Sequence, residues 1–391
     1  MNSLLPNSRL TIVVAGSFAG VLGQGGATSA LLQWVIGFHR LGHDVYVLEP
    51  IDAGAVVPDG AALSASDNAT YMSHVMRRAD LAGRWALMVD DLSDTAGLSS
   101  RDILSVLERA DVLVNLSGVL RDERLGERVP ARVFVDLDPA FTQLWHERGM
   151  GATLSSHTHF VSTGLALNDR ACTLPRCGAS WTLLPPPVVL EEWRPSPTRS
   201  FDSLTTVANW RSYGSISHAG VDYGQKAHSF RRFLELPLLT DKEVRVALAI
   251  HPDEKQDLSR LHQNRWQLVD PVTSCGTPER YVRFIESSAA ELGIAKSGYV
   301  LSRCGWFSER SASYLAAGKP VLAEQTGYSR HLPVGEGLLS FSTTEDILAC
   351  IDKLDESYSR HARAARELAE DVFDSAKVLG SLLDAVSSVR T

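Results

Sequence analysis

Short apolar runs alternate along the chain with longer segments in which apolar residues recur at helical spacing. The run LTIVVAG is typical of a central parallel strand, and ATSALLQWVIGFHRLGHDVYVLEP after it predicts a helix, a break at Gly42 and a second strand. Further strands are predicted at DVLVNLSG, ARVFVDLD and HFVSTG. Strands that alternate with helices in this way predict an α/β fold with a doubly wound parallel sheet.

A proline-rich stretch divides this pattern in two. Pro185, Pro186 and Pro187, followed by Pro195 and Pro197, stiffen the chain and oppose a helix or a central strand. The alternation then starts again, with strands at LTTVANW, EVRVALAI, WQLVD, ELGIAK, PVLAE and GLLSF and helices around Phe230, Arg280, Ala312 and Ile347. We therefore predict an interdomain linker followed by a second doubly wound sheet, with an amphipathic helix from about 357 to 389.

The segment YVLSRCGWFSERSASYLAAGKPVLAE, residues 299–324, predicts a strand, a tight loop, a helix and a buried strand. Val300 and Leu301 would end the first strand, Ser308 would cap the helix, and Gly318 would end it. The first amide groups of such a helix lack intrahelical partners, and the helix dipole favours an anion beside them. The segment indicates a phosphate site, although an α/β unit without a ligand explains the pattern equally well.

Composition limits the classes of function. The 391 residues are 44% hydrophobic, enough for two domains, and the net charge of −8 without a basic cluster argues against a nucleic-acid partner. Five cysteines at irregular spacing favour reduced thiols and a cytoplasmic protein. Residues 10–38 carry no charged side chain, but glycines at positions 16, 20, 23, 25 and 26 interrupt them, so we predict a strand, a loop and a helix there rather than a membrane span.

A series of motifs carries a family resemblance. GQGGATSALLQWVIGFHRLGHDVYVLE, FVSTGLALND and LLPPPVVLEEWRP come first, VANWRSYG and YGQK follow, and AAGKPVLAEQTGYSRHLPVGEGLLSF and TTEDILACIDKL close the series. In this order, over residues 10–375, they resemble the GT-B glycosyltransferases, and within them the retaining glycogen-synthase-like superfamily (glycosyltransferase family 4-like). Each motif alone has modest specificity, so the order is the stronger signal.

The resemblance implies two Rossmann-like domains that face a cleft. Residues 1–190 would bind the acceptor, 191–365 would bind a nucleotide sugar, and 366–391 would form a helix that packs back on the N-terminal domain. The implied activity is that of a hexosyltransferase (EC 2.4) that uses a nucleoside diphosphate sugar, a UDP-sugar being favoured, without a cofactor or an obligatory metal. The acceptor hydroxyl would belong to a small molecule or a glycan, and residues 54–65 and 72–85 are candidates for its pocket.

The resemblance also implies the residues that bind the donor. Lys226 and Arg211 correspond to the phosphate-binding cations, and Pro271 and Val272 lie where the backbone contacts the base. The other implied donor-binding residues are Gly25, Gly26, Thr28, Ser212, Ser308, Glu309, Arg310 and Ser311. A solvated Lys226, an Arg211 paired with a nearby carboxylate and a plain turn at Pro271 remain the alternatives.

One departure from the superfamily is important. Its members usually carry two glutamates separated by seven residues, and the corresponding positions hold Gly305 and Ser313 here. This departure leaves both the ribose contact and retention of configuration open. Glu309, one turn before Ser313, is a candidate for the ribose contact.

The acid–base candidates follow apolar strands of the N-terminal half. If the reaction inverts configuration, a carboxylate or a histidine must accept the proton of the acceptor. We predict Asp138, paired with Gln143, and His157 as catalytic residues, whereas a helix cap for Asp138 and a packing role for His157 remain alternatives. Glu49 is a further acid–base candidate.

Three other functions stay open. Asp136 and Asp138 form an Asp-x-Asp motif, which in GT-A glycosyltransferases binds a divalent metal. A sugar-nucleotide epimerase can use the same fold, and a non-catalytic nucleotide-sugar-binding protein would explain the missing glutamate pair. The donor sugar and base, the acceptor, the stereochemistry and the oligomeric state do not follow from the sequence.

Overall fold

The computed structural model describes residues 9–89, 92–151, 154–195 and 200–388. Within these residues the N-terminal half forms one sheet of eight strands. The strands are β1 (Thr11–Ala15), β2 (Asp44–Pro50), β3 (Trp85–Val89), β4 (Asp94–Gly97), β5 (Val112–Leu116), β6 (Ala131–Asp136), β7 (His159–Ser162) and β8 (Trp181–Leu183). The helices are α1 (Gly25–Arg40), α2 (Asp67–Arg78), α3 (Ser100–Arg109), α4 (Glu123–Gly126) and α5 (Phe141–Glu147).

The C-terminal half has a six-stranded parallel sheet and a short hairpin within the described residues. The strands are β9 (Ser203–Asn209), β10 (Ile216–His218), β11 (Val221–Tyr223), β12 (Glu243–Ala249), β13 (Gln267–Val269), β14 (Ala290–Gly293), β15 (Val321–Glu324) and β16 (Leu338–Phe341). The helices are α6 (Lys226–Phe230), α7 (Lys255–Gln263), α8 (Pro271–Cys275), α9 (Pro278–Glu286), α10 (Ser297–Ser302), α11 (Glu309–Ala316), α12 (Thr344–Leu368) and α13 (Ser375–Ser388).

Both sheets are doubly wound about their first strand. The orders are β4-β3-β2-β1-β5-β6-β7-β8 and β13-β12-β9-β14-β15-β16, and of these pairs only β3 with β4 is antiparallel among the described residues. Strand order therefore reverses between β1 and β5 and between β9 and β14. Crevices at such reversals lie at the carboxyl ends of the strands and commonly bind ligands. The predicted two-sheet α/β architecture is confirmed.

The segment that links the sheets is extended and proline-rich, as predicted. After β8 the chain reaches a short 3₁₀ turn at Leu190–Glu192 and re-enters a sheet at β9. Pro197 and its neighbours, residues 196–199, lie outside the described residues.

Two local predictions were wrong. Tyr299, Val300 and Leu301 belong to helix α10 and not to a strand, because β14 already pairs with β15 through Glu291 and Val321. An apolar run of this length fits a buried strand and a helix equally well. The helix at the C-terminus is interrupted, because a π-helical turn at Ala369–Phe373 separates α12 from α13.

Asp138 does not cap a helix, and it does not pair with Gln143. Helix α5 starts three residues later, with Ala140 at its N-cap in a conformation of positive φ (86°). The Gln143 amide bonds to Asp136 Oδ2 at 2.8 Å instead. The turn at Ala140 moves the start of the helix beyond Asp138 and leaves that carboxylate free to contact the other half.

Close backbone contacts join the two halves. A Cβ atom added to Gly25 would lie 2.3 Å from the carbonyl carbon of Thr277 and 2.4 Å from the carbonyl oxygen of Cys275. On the other side, the Ala166 amide bonds to the Cys304 carbonyl at 3.0 Å. Helix α13 packs on α1, where Gly37 makes room for Leu379.

We expect Gly25→Ala to destabilise the protein by about 1–3 kcal/mol, because backbone atoms cannot move aside as a flexible side chain can. Urea unfolding would measure the change. Gly54→Ala is the matched control, since nothing lies within 4 Å of a Cβ at that position. Equal stability of the two variants would contradict the close contact between the halves.

Candidate donor site between the two sheets

A cavity of about 550 Å³ lies between the carboxyl ends of the two sheets. Its walls include the loop after β1, Asp138 after β6, Asn209 at the end of β9 and Lys296 after β14. Ten of the predicted site residues line it. They are Gly25, Gly26, Asp138, Ser212, Lys226, Pro271, Val272, Ser308, Glu309 and Arg310.

The first turn of helix α1 faces this cavity. Its N-cap residue, Gln24, makes no side-chain cap hydrogen bond, so the amide groups at the helix start are open to a ligand. Glu49 fixes the preceding loop, because its buried carboxylate accepts hydrogen bonds from the amides of Ala19 at 2.7 Å and Gly20 at 2.6 Å. Glu49 is therefore engaged with the backbone and does not line the cavity as an acid–base group would.

Helix α11 also begins at the cavity. Ser308 caps it, as predicted, by accepting a hydrogen bond from the Arg310 amide at 3.2 Å. Glu309 occupies the first helical position. Burial raises the pKa of the Glu309 carboxyl to about 7, and the nearby Asp138 charge adds to the shift. Glu309 is therefore partly protonated near neutral pH.

Lys226 is a buried cation at the start of helix α6. Its side chain donates a hydrogen bond to the Ile294 carbonyl, and the residue is only 8% exposed. No ion pair joins Lys226 to a carboxylate within the part of the chain that the structure describes. Burial lowers the pKa of Lys226, and the charges of Arg310 and Lys296 lower it further. The negative charges of Glu291 and Glu324 oppose this lowering of the pKa, although neither carboxylate forms an ion pair with the amine.

Arg310 is held by the protein itself. Its Nε lies 2.5 Å from Oε1 of the fully buried Glu291, and Nη1 donates to the Val207 carbonyl at 2.8 Å. The guanidinium has five N–H donors, so these contacts orient the group without using all of them. Its remaining donors can face the cavity that it lines.

Lys296 lines the cavity but was not predicted as a site residue from the sequence. Its Nζ lies 3.1 Å from Oδ2 and 3.3 Å from Oδ1 of Asp138. The hydroxyls of Tyr213 and Tyr299 donate to the same carboxylate. The only signal in the sequence was that Lys296 follows the strand ELGIA, whose carboxyl end lies at the same edge as the other site residues.

Four predicted residues do not line the cavity. Arg211 pairs with Glu254 at the surface, the alternative left open for it. The Thr28 hydroxyl donates to the Phe18 carbonyl at 3.0 Å, and Ser311 is buried within α11. His157 packs its ring against Phe134 and lies 3.0 Å from the Asn115 amide.

Two aromatic side chains near the end of β9 pack against other residues and do not line the cavity. Trp210 is buried and donates its indole N–H to Asp257 at 3.0 Å. Tyr213 packs edge-on against Trp145, with ring centroids 4.7 Å apart.

The fold of this chain is similar, over nearly its whole length, to the folds of several solved structures. HepE from Anabaena, in complex with UDP and glucose, superposes with a TM-score of 0.57 and 11% identity over 97% of this chain and 100% of that chain. An alpha-glucosyltransferase in complex with UDP-glucose and DNA containing an abasic site superposes with a TM-score of 0.60 and 12% identity, over 97% of this chain and 99% of that chain. Sucrose-phosphate synthase from Thermosynechococcus elongatus superposes with a TM-score of 0.56 and 10% identity, over 97% of this chain and 100% of that chain. No family model and no curated protein sequence matches the chain.

The chain has the GT-B fold.

These neighbours confirm, at the level of fold, the resemblance to GT-B glycosyltransferases.

Gly305 and Ser313, where the sequence resemblance places the two glutamates, have structural roles in this chain. Gly305 has a positive φ of 76°, and an added Cβ would lie 2.3 Å from the Ala166 amide nitrogen. Ser313 is buried, and its hydroxyl donates to the Glu309 carbonyl at 3.0 Å. A glutamate side chain at Gly305 would collide with the N-terminal half, so the first glutamate of the pair does not fit at this position.

We expect Glu309→Gln to gain stability relative to the wild type as the pH rises from 5 to 8. The unfolded chain loses the Glu309 proton near the ordinary pKa of 4.5, whereas the folded protein keeps it until about pH 7. The folded state therefore binds more protons in this interval, and the wild type loses stability as pH increases. Urea unfolding at four pH values measures this difference, and parallel curves for the two proteins would contradict it.

Proposed function

We propose that the protein is a glycosyltransferase that transfers a hexosyl group from a nucleoside diphosphate sugar, preferably a UDP-sugar, to an acceptor hydroxyl. The observation that carries this proposal is the buried Lys226, which faces the cavity without a carboxylate partner among the described residues. Two helices, α1 and α11, begin at the same cavity. A diphosphate would supply the missing negative charge to all three groups.

The residues of the chain can stabilise the leaving group. During transfer, the bond from the anomeric carbon to the β-phosphate oxygen breaks, and its electron pair stays on that oxygen. The acceptor oxygen forms the new bond to the anomeric carbon, and its proton passes to a base or to solvent. Lys226, Arg310 and the amides of helix α1 would stabilise the charge that grows on the diphosphate. Val272 at the cavity wall would contact the base.

The cations of the site would make a metal unnecessary for this role. In the Asp-x-Asp motif, Asp136 is fully buried and already engaged. Its Oδ1 accepts the Asp138 amide at 3.0 Å, and its Oδ2 accepts the Ser162 hydroxyl at 2.7 Å and the Gln143 amide. A metal would find only one accessible carboxylate in this motif, which favours the metal-independent proposal.

A second cavity supports an acceptor site in the N-terminal half. It measures about 370 Å³ and is lined by Ser17, Asp52, Val89 and Arg121 at the carboxyl edge of the sheet. Met72 and Trp85, which we expected near the acceptor, are buried in the core. A polar small molecule or a glycan end would fit this cavity. The net charge of −8 favours such an acceptor over a nucleic acid.

No helix among the described residues has the length and hydrophobicity needed to cross a bilayer. All five cysteines are free thiols. We keep the cytoplasm as the proposed location, because reduced cysteines are typical of that compartment.

A ligand screen followed by an activity assay tests the function. Thermal shift with uridine, guanosine, adenosine and thymidine diphosphates, with and without Mg²⁺, should give one metal-independent stabilisation. Release of nucleoside diphosphate from the matching sugar nucleotide should then require an acceptor. Release without an acceptor but with a changed sugar would indicate an epimerase, and binding without turnover would indicate a non-catalytic protein.

We expect Lys226→Met to weaken binding of the nucleoside diphosphate by about tenfold or more, since a hydrogen bond between charged groups is lost. Calorimetric titration of the folded variant measures this effect. Lys353→Met is the matched control, because Lys353 is an exposed lysine on helix α12 outside the cavity. Equal affinities of the two variants would remove Lys226 from the site.

A further inference from the structure

Asp138 crosses from the N-terminal half to a cluster of donors in the C-terminal half. Both of its carboxylate oxygens contact Lys296 Nζ, at 3.1 and 3.3 Å. Tyr299 donates to Oδ1 and Tyr213 donates to Oδ2. A general base needs a lone pair directed at the acceptor hydroxyl. Here both oxygens already accept hydrogen bonds from a cation and two phenols, so this carboxylate is poorly placed to take a proton.

Lys296 is held in a position that faces the cavity. Its Nζ lies 4.2 Å from the ring centroid of Tyr213, 5.1 Å from that of Phe141 and 5.2 Å from that of Tyr299. Ring faces attract an ammonium group, so these three rings help to hold the amine in place. The Lys296 side chain is 14% exposed, and that remaining surface belongs to the cavity wall.

Lys296 lies close enough to Lys226 to affect it. The positive charge of Lys296 is one of the causes that lower the pKa of Lys226. Two amines that repel each other at one cavity cost stability unless an anion binds between them. Asp138 offsets the charge of Lys296, whereas no carboxylate forms an ion pair with Lys226 within the described residues.

We propose that Lys296 is a third cation, beside Lys226 and Arg310, that binds the donor diphosphate and that Asp138 acts through it as a positioning residue. This inference rests on the proposed function. In this proposal Asp138 positions Lys296 and is not the catalytic base that we predicted from the sequence. The contacts of Asp138 and the two tyrosines fix the amine at the wall of the cavity before the donor arrives, so little freedom is lost on binding.

Comparing the affinities of the same variants for UDP and for uridine distinguishes binding of the diphosphate by Lys296 from a purely structural role. We expect Lys296→Met to weaken UDP binding by about tenfold or more while uridine binding stays unchanged, because only UDP carries the diphosphate. Lys296→Arg should restore most of the UDP affinity. A loss of uridine binding equal to the loss of UDP binding would show a structural tie between the halves and would overturn the proposal.

A double-mutant cycle tests how Asp138 acts. We expect Asp138→Asn to weaken UDP binding in the wild-type background and to have little further effect in the Lys296→Met background. A base would behave differently, since its loss would lower kcat in both backgrounds and leave UDP affinity intact. That result would overturn the positioning role.

The control for the underlying function is the wild-type protein. If it binds none of the four nucleoside diphosphates, the proposed function fails. If it binds UDP and Lys296→Met binds UDP equally well, only the role of Lys296 fails. Melting temperatures of all variants show whether each one is folded.

Discussion

The two halves of the molecule meet backbone to backbone, and the shape of the cavity depends on this contact. Gly25 lies against the Cys275–Thr277 segment, and Gly305 lies against Ala166, with no space for a Cβ at either place. The main chain of each half therefore defines the position of the other. Because backbone atoms cannot adjust as side chains do, these contacts fix the distance between the two sheet edges and leave a cavity of about 550 Å³ between them.

Charge inside the cavity follows from this geometry. Lys226, Lys296 and Arg310 come from three different segments of the C-terminal half and converge where the N-terminal half contributes Asp138. Glu291 compensates Arg310, and Asp138 compensates Lys296. Lys226 is left without a carboxylate partner in the described part of the chain. Buried charges need partners, and this arrangement agrees with the proposed binding of a diphosphate.

The departure from the superfamily pattern has a structural explanation. In this chain the loop at Gly305 forms a bridge to the N-terminal half, through Gly164 and Trp306. That bridge occupies the space in which the first glutamate would project. Glu309 is the carboxyl group that remains at the start of helix α11, and its raised pKa makes it a hydrogen-bond donor as well as an acceptor near neutral pH.

The sequence by itself determined the order of strands and helices, because apolar periodicity reports which faces are buried, and it indicated the GT-B fold through the order of its motifs. The resemblance also indicated Gly25 and Lys226, and the helix-cap pattern indicated Ser308; all three line the cavity. Only the tertiary structure decided that Lys296 and Asp138 form a pair, since 158 residues separate them and they meet only when the sheets face each other. His157 and Arg211 do not line the cavity, and this too depends on partners that are distant in sequence. His157 contacts Asn115 and Arg211 pairs with Glu254, and no local pattern specifies either contact.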